Sequence, residues 1–345
     1  MFGNWWHKKE MPMLGSWSLG GGVGAFKKTQ GSWDVSGGTI TTSGIYTIHT
    51  FTHPAGNHVG PQSADTSQTL VVTECPATAT MDWLVVGGGG GGGRSHNGNI
   101  HRGGGGGGAG GVRCSLPDGP GGGATMPTEA AHPVTAGTTY PIQIGHNGKG
   151  GASMAYGGDS SIFGYVSQGG GRGGDDWMAS STATYTPGGS GGGCGSDGAP
   201  SSPYHPDLGG RGNCEQDSLT PVPSQGKDAG AGGGSNGGSG GGGAVGAGGN
   251  RQNGPEPGQG GTAKVYDISG SPYGYGGGGG GGAGPNSNPG AAPTDQPNGG
   301  SGGAWPNNDG TDANAYGCGG GGSAGGNGNN YGGAGCSGVV VVRYS

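Results

Sequence analysis

Trp83-Leu-Val-Val-Gly-Gly-Gly-Gly-Gly-Gly-Gly93 decides how the rest of this chain is read. Four residues of strand character run straight into seven without side chains. A strand can continue into such a run, but a side-chain core cannot, because nothing is left to bury. Outward from here the pattern recurs. Glycine-rich runs at 103–111, 119–123, 169–174, 188–195, 230–249, 276–284, 317–326 and 332–338 alternate with polar segments. The last run passes directly into Gly338-Val-Val-Val-Val-Arg-Tyr344. That closing segment is long enough for one strand and is expected to pair near Trp83–Val86, so the glycine-rich region starts and ends on one β platform.

Glycine supplies 101 of 345 residues, roughly four times the usual share of about 7%. Three conformations compete for such runs. Collagen needs glycine at every third position, and seven in succession break that rule. A flexible linker is favoured by glycine's large loss of backbone entropy on ordering. Against it, the runs are short, their ends carry Pro and aromatic residues, and strand-like pieces bracket the region. The third conformation is a bundle of polyproline-II-like glycine helices, with three residues per turn and no internal hydrogen bonds. Its N–H and C=O groups point outward in three directions, and only glycine lets neighbours approach closely enough to pair them. The expected fold is therefore mostly irregular and β: a small N-terminal β-sheet domain, then a bundle of these polyglycine-II helices, closed by a C-terminal strand. Isolated Ala and Ser within the runs are expected at the bundle surface.

Four divisions follow: an attachment segment at 1–33, a small β domain at 34–86, the glycine-rich sandwich with its loops at 87–338, and the closing strand at 339–345. Strands are expected at Ile45–Phe51, Gln68–Thr73 and Met81–Val86, where β-branched and aromatic residues concentrate. Tyr140–Ile144 and Ser161–Val166 are strand-like pieces within the glycine-rich part. The first segment holds four of the seven tryptophans. Trp5, Trp6, Trp17 and Trp33, with Phe26, are candidate anchors onto a partner, since buried aromatics dominate interface affinity; packing against the downstream domain is the competing use.

Net charge is −6, from 14 basic and 20 acidic residues, all sparse. Nucleic-acid binding would need clustered Lys and Arg, and the isolated Arg172-Gly-Gly174 does not supply them. The first ten residues contain no apolar run of signal-peptide length, and no stretch of about 20 apolar residues suits a membrane-spanning helix. Export by the usual secretory route is therefore not expected, nor is membrane insertion. No Cys pair has the Cys-x-x-Cys spacing of a zinc site. The cysteines read as small packed thiols, with Cys194–Cys214 or Cys318–Cys336 as conceivable disulfides.

Enzyme motifs occur only trivially. Gly-x-Gly-x-x-Gly follows a strand here, but seven glycines and Arg94-Ser-His-Asn-Gly98 cannot open the helix that a dinucleotide site needs. Gly145-His-Asn-Gly-Lys-Gly150 lacks the spacing and hydroxyl of a phosphate loop. His49, His53 and His58 share no strand spacing and read as exposed polar residues. No cofactor, metal site or enzymatic activity is expected. The loops carry the chemistry instead: Arg94, His96, His101 and Arg102 in one, Trp177 and Tyr185 in another, Tyr204 and His205 in a third, and Trp305 in a fourth. Aromatic and charged groups on a rigid scaffold suit recognition; capping the ends of glycine helices is the alternative use of the aromatics.

The order of Trp83–Gly93, Val134-Thr-Ala-Gly-Thr-Thr-Tyr-Pro-Ile-Gln-Ile-Gly145, Gly157-Gly-Asp-Ser-Ser-Ile-Phe-Gly164 and Gly338–Tyr344 resembles the glycine-rich domains of phage tail-fibre and related virion proteins. The resemblance spans roughly residues 36–345. It is similar to the distal tail-fibre adhesins of T-even-like phages, in which stacked polyglycine helices are implied to form a sandwich with receptor-binding loops at its tip. Residues 1–33 depart from that pattern. The resemblance implies a structural protein of the particle surface, assembled in the host cytoplasm and released by lysis. Its implied partners are other virion proteins of tail, fibre or capsid and a host cell-surface protein or glycan, with a homotrimer as one assembly. The alternatives are a capsid-decoration or head-fibre protein without receptor binding, and a bacterial extracellular fibril protein.

Overall fold

The computed structural model describes residues 32–54, 65–96, 102–117, 128–150, 155–175, 188–195, 225–231, 237–251, 256–285, 288–292, 299–306, 308–326 and 328–345. Within them the protein is all-β and irregular, with no helices. In chain order the strands are β1 (Asp34–Ser36), β2 (Thr39–Ser43), β3 (Tyr46–Thr52), β4 (Thr66–Glu74), β5 (Thr80–Val86), β6 (Val112–Cys114), β7 (His132–Pro133), β8 (Thr138–Ile144), β9 (Ser160–Ile162), β10 (Tyr165–Ser167), β11 (Lys264–Tyr266), β12 (Tyr273–Tyr275) and β13 (Val339–Tyr344).

They form a sheet of order β1-β4-β8-β9-β10, a second of order β2-β3-β13-β5-β6, and the hairpin β11-β12. The closing strand β13 lies between β3 and β5, with Val339 opposite Val86 and Val342 opposite Trp83. Its unbroken valine run is explained by burial on both faces. Val340, Val342 and Tyr344 pack between the two sheets with Phe51, Leu70, Trp83, Ile142 and Ile162. Val339 and Val341 pack on the opposite face with Leu84, Val112, Val245, Ile268 and Tyr275. A strand covered on both sides loses the apolar–polar alternation that marks a half-exposed one.

Ser161–Val166 is a hairpin rather than a single strand. Phe163 and Gly164 both adopt positive φ, 55° and 83°, the geometry of a tight two-residue turn. The Phe163 ring stacks on His132 at 4.2 Å, which holds this bulky residue in a conformation that its side chain disfavours. His49 of β3 and His53 just after it also differ from expectation. His49 is fully buried and His53 nearly so, because β3 is covered by β2 and β13 in the sheet and His49 faces the sandwich interior. Its Nδ1 lies 2.8 Å from the Gly37 carbonyl and its Nε2 3.2 Å from the Tyr344 hydroxyl.

Beyond the sandwich the glycine segments form a hydrogen-bonded lattice of period three. Gly87, Gly90 and Gly93 donate to the carbonyls of Gly111, Gly108 and Gly105; Gly88 and Gly91 donate to Gly158 and Ala155; Gly89 and Gly92 donate to Cys336 and Gly333, all at 2.8–3.1 Å. The same segment accepts from Gly170 and Gly173, from Gly148, and from Gly320 and Ser323. It thus has six neighbours, three reached through its N–H groups and three through its carbonyls.

Following these bonds from segment to segment gives a close-packed array of four layers. The first layer holds 155–158, 168–174, 188–195 and 225–231. The second holds 145–150, 87–93, 103–111, 237–243 and 246–251. The third holds 332–338, 317–325, 276–284 and 256–261, and the fourth 308–313, 299–304 and 288–292. Segments 87–93, 103–111, 237–243, 276–284 and 317–325 are enclosed on all six sides.

Several Ala and Ser residues expected at the surface are interior: Ala109, Ser190, Ser239, Ala283, Ser323 and Ala324 are all buried. Two of these serines take part in lattice bonds through their hydroxyls. The Ser239 hydroxyl accepts from the Cys194 amide at 2.7 Å, and the Ser190 hydroxyl donates to the Gly243 carbonyl at 3.2 Å. Cys318 and Cys336 are neighbouring buried thiols, not a disulfide; burial pushes the Cys318 thiol up to about 12.

Two tests follow from this packing. A methyl group on Gly107 would press on the Gly90 carbonyl, whereas one on Gly328 would meet only the Asn330 side-chain oxygen at 3.8 Å. Gly107→Ala is expected to cost about 1–3 kcal/mol or more and Gly328→Ala almost nothing, as read by thermal melting. Burial also lowers the pKa of His49 below its ordinary value, against the opposing hydrogen bond to the Gly37 carbonyl, and burial lowers that of His132. The unfolded chain therefore binds these protons more readily. The stability each contributes is present above the ordinary histidine pKa of about 6.5 and is lost as pH falls toward the lowered value. Melting temperature should drop between about pH 8 and about pH 5, and the drop should shrink in a His49→Gln, His132→Gln double variant.

Candidate functional site

Each strand that enters the lattice fixes the direction of the segment that continues it. β5, β8, β10 and β12 feed 87–93, 145–150, 168–174 and 276–284 away from the sandwich, while 103–111 and 332–338 return to β6 and β13. The opposite end of the lattice is about 20 Å away, seven residues at about 3.1 Å each. This distal end is where chain reversals gather side chains.

Arg94, Ser95 and His96 follow the 87–93 segment there, and Arg102 precedes the 103–111 segment beside it. Gly104 abuts the Gly93 carbonyl and the Arg94 amide, and Gly325 abuts the Arg102 backbone. Ser95 forms a bridge with Asn330. The Ser95 hydroxyl and the Asn330 side-chain amide both donate to the Ala324 carbonyl, at 2.7 and 3.0 Å. These bonds tie the ends of three segments together.

Asp175, at the end of 168–174, accepts from the Arg94 amide at 3.2 Å, and its Oδ2 lies 3.8 Å from Arg94 Nε. Burial raises the Asp175 pKa; the Arg94 amide hydrogen bond and the charges of Arg94, His96 and Arg172 act in the opposite direction. The buried Asp175 side chain is therefore influenced by three groups that are cationic or can become so. On the other side of the distal end, Trp305 and Tyr331 are each about two-fifths exposed, at 39% and 40%. The Tyr331 amide donates to Asp309 Oδ1 at 2.6 Å, which fixes the backbone beneath the ring.

Of the residues singled out in the sequence, the structure brings Arg94, His96 and Arg102 together at the distal end and leaves Trp305 exposed there. Trp33 lies at the opposite end, inside the fold. Its ring stacks on Tyr344 at 4.2 Å and its indole N–H donates to the Ser345 carbonyl at 3.0 Å. Trp5, Trp6, Trp17, Phe26, His101, Trp177, Tyr185, Tyr204 and His205 lie outside the described residues, as does the Cys214 of the conceivable Cys194–Cys214 pair. Sequence reasoning noted Arg172 only in an isolated Arg-Gly-Gly, and did not single out Tyr331 or the role of Asp175 and Asn330 in binding the segment ends. They are far apart in the chain, and only the lattice neighbours reveal them.

Among the described residues no three His, Cys, Asp or Glu side chains converge to hold a metal, and no helix is long and apolar enough to cross a membrane. A family model described as a glycine-rich domain matches residues 62–345. The chain belongs to that glycine-rich domain family. No curated protein matches it.

Asp175→Ala removes the acceptor for the Arg94 amide. Amide hydrogen exchange at residues 94–96 should accelerate, corresponding to about 1–3 kcal/mol of local stability. The global melting temperature should barely move, because the interior segments keep their bonds. Asp175→Asn, which keeps an acceptor oxygen, should fall between.

Proposed function

We propose that this protein is a structural component of a phage particle surface, of tail-fibre or adhesin type. Its N-terminal segment, with Trp5, Trp6, Trp17 and Phe26, docks it to other virion proteins. The distal end of the lattice contacts a protein or glycan of the host cell surface. Trp33 is left out of the docking set, since its indole is engaged with Tyr344 and Ser345. On this reading the protein carries out no catalysis and needs no cofactor, it is assembled in the host cytoplasm, and it reaches the exterior with the particle.

The observation that supports this reading best is the rigid hydrogen-bonded lattice, which presents chain reversals from distant parts of the sequence on one polar, partly aromatic end. A scaffold of this kind holds recognition groups in place while their sequences vary. The order of glycine runs and strands, similar to that of phage tail-fibre glycine-rich domains, points the same way.

The test is competition. Purified protein should bind host cells saturably and block adsorption of the phage. Trp305→Ala and Trp177→Ala should each weaken binding about tenfold or more if these rings are anchors. Absence of binding by a well-folded protein would leave decoration of the capsid as the better account. A version lacking residues 1–31 should still bind cells but no longer join particles.

A further inference from the structure

A strand at the edge of a sheet presents unpaired N–H and C=O groups, and folded proteins blunt such edges with shortness, charge, bulges or cover. The two sheets of the sandwich end on β1, β10, β6 and β2. The first three of these edges are blunted. β1 has three residues, carries Asp34 and bulges between Asp34 and Val35. β10 also has three residues, and its Val166 carbonyl accepts from Arg113 Nη1 at 3.0 Å and from Gln225 Nε2 at 3.1 Å. At β6 the Val112 amide donates to the Gln225 carbonyl at 2.9 Å, and the Cys114 carbonyl accepts from the Glu129 amide at 3.2 Å.

β2 has none of these protections. Thr39-Ile-Thr-Thr-Ser43 is uncharged, lacks proline and pairs with β3 in unbroken register. Alternate residues of an antiparallel strand turn their polar backbone groups away from the neighbour, and those of β2 find no partner among the described residues. The Ser43 hydroxyl, which donates to the Gly270 carbonyl at 3.3 Å, ties the end of the strand to the turn of the β11-β12 hairpin. Thr39, Ile40, Thr41 and Thr42 are all exposed, Ile40 at 51%. Ile45, in the turn that follows, is 77% exposed.

We propose that β2 pairs antiparallel with β2 of a second copy of this chain, about a two-fold axis at Thr41. Such pairing sets Ile40 opposite Thr42 and Thr39 opposite Ser43 of the other copy. The strand is thus complementary to itself, as a two-fold interface requires. The chain carries a net charge of −6, yet no charged side chain on this strand repels its own copy. The residues brought opposite each other are β-branched or hydroxyl-bearing, combinations that stabilise adjacent strands. A second copy also brings an edge of the same length with the same unpaired groups. The β2-β3-β13-β5-β6 sheet then runs on into that of the second copy, with main-chain hydrogen bonds supplying the affinity. β2 belongs to the sandwich, so the interface leaves the distal end of the lattice clear, and the inference does not depend on the host-contact reading. Five paired residues make a small interface, and a dissociation constant of about 1–100 µM is expected.

The experiment is sedimentation equilibrium of the full-length protein across that concentration range, where a monomer–dimer equilibrium should appear. Ile40→Lys combined with Thr42→Lys places like charges opposite each other across the axis and should weaken dimerisation about tenfold or more. Ile40→Lys combined with Thr42→Glu places opposite charges there and should restore it. A parallel pairing would not be restored, because each residue would face its own counterpart. Thr41→Cys sets a thiol beside its copy at the axis, with Cα atoms about 4.5–5.5 Å apart, within the span of a disulfide. Diamide should therefore cross-link this variant into dimers far more readily than the parent protein or Thr39→Cys. Thermal melting confirms that each variant is folded, and the cysteine variant keeps the test valid if the charged ones are not.

A protein that stays monomeric throughout would overturn the proposal, and so would one that is monomeric alone but captures another virion protein along this edge. An oligomer indifferent to the double lysine variant would overturn it by placing the interface elsewhere. Failure of the lysine–glutamate combination to restore the dimer would overturn the antiparallel two-fold pairing. Binding to host cells, or its absence, bears on the host-contact reading alone.

Discussion

Each enclosed segment depends on one spatial fact: the position a β-carbon would occupy is already filled by a neighbour's backbone, most often its carbonyl oxygen. At Gly87, Gly90 and Gly93 the neighbours are Gln168, Gly171 and Gly174, successive members of one adjoining segment spaced three apart. At Gly89 and Gly92 they are Cys318 and Gly321. The same three-residue period governs the N–H bonds of that segment. Glycine is required less for its backbone freedom than for its lack of bulk. Removing the side chain lets six neighbours approach, so both polar groups of each residue can be paired, and the Cα–H groups can point at carbonyls as weak donors. In a side-chain core, burial of apolar surface offsets the loss of chain entropy. Here saturation of backbone hydrogen bonds, each contributing about 0.5–1.5 kcal/mol net, takes over much of that role.

Such a lattice has no side chains to specify which segment lies beside which. The sandwich supplies that information. β5, β8, β10 and β12 run into outgoing segments, and β6 and β13 receive returning ones. Strand pairing fixes both the position and the axial register at one end. The pairing of Val339 with Val86 in the sheet, for example, leads directly to the neighbouring bonds of Gly87–Gly93 with 332–338. Packing on both faces of the β3-β13-β5 sheet then locks the seed. This division of labour explains why the few large apolar residues of the described chain concentrate in the strands and the hairpin, while the lattice contains almost none.

The parts of this fold that were legible in the sequence are those with a local signature. Ile45–Phe51 and Met81–Val86 carry β-branched and aromatic residues, and the closing valines identify a strand. The existence of a polyglycine array could also be argued, since runs of seven glycines exclude both collagen and a side-chain core. Two kinds of feature escaped. Lys264–Tyr266 and Tyr273–Tyr275 are too short to announce a hairpin, and Phe163 in a turn runs against its own conformational preference. The neighbour relations of the lattice were also hidden, because glycine runs are interchangeable as sequence. The candidate site suffered most from this. Arg94, Arg102, Asp175 and Asn330 are joined only by adjacency between segments, and adjacency is what a string of glycines cannot encode.

The same property bears on how such a protein can change. Interior positions tolerate almost nothing larger than glycine, except where an Ala or Ser fits or a hydroxyl replaces a lattice bond, as at Ser239. Described residues just past the segment ends, such as Arg94, His96 and Tyr331, carry large side chains instead. Their anchorage is local and polar: Asp175 on the Arg94 amide, Ser95 and Asn330 on the Ala324 carbonyl, Asp309 on the Tyr331 amide. Each anchor fixes a described segment end by side-chain hydrogen bonds to backbone groups. An interior that excludes side chains, with segment ends that carry them, would suit the surface-contacting particle protein proposed above.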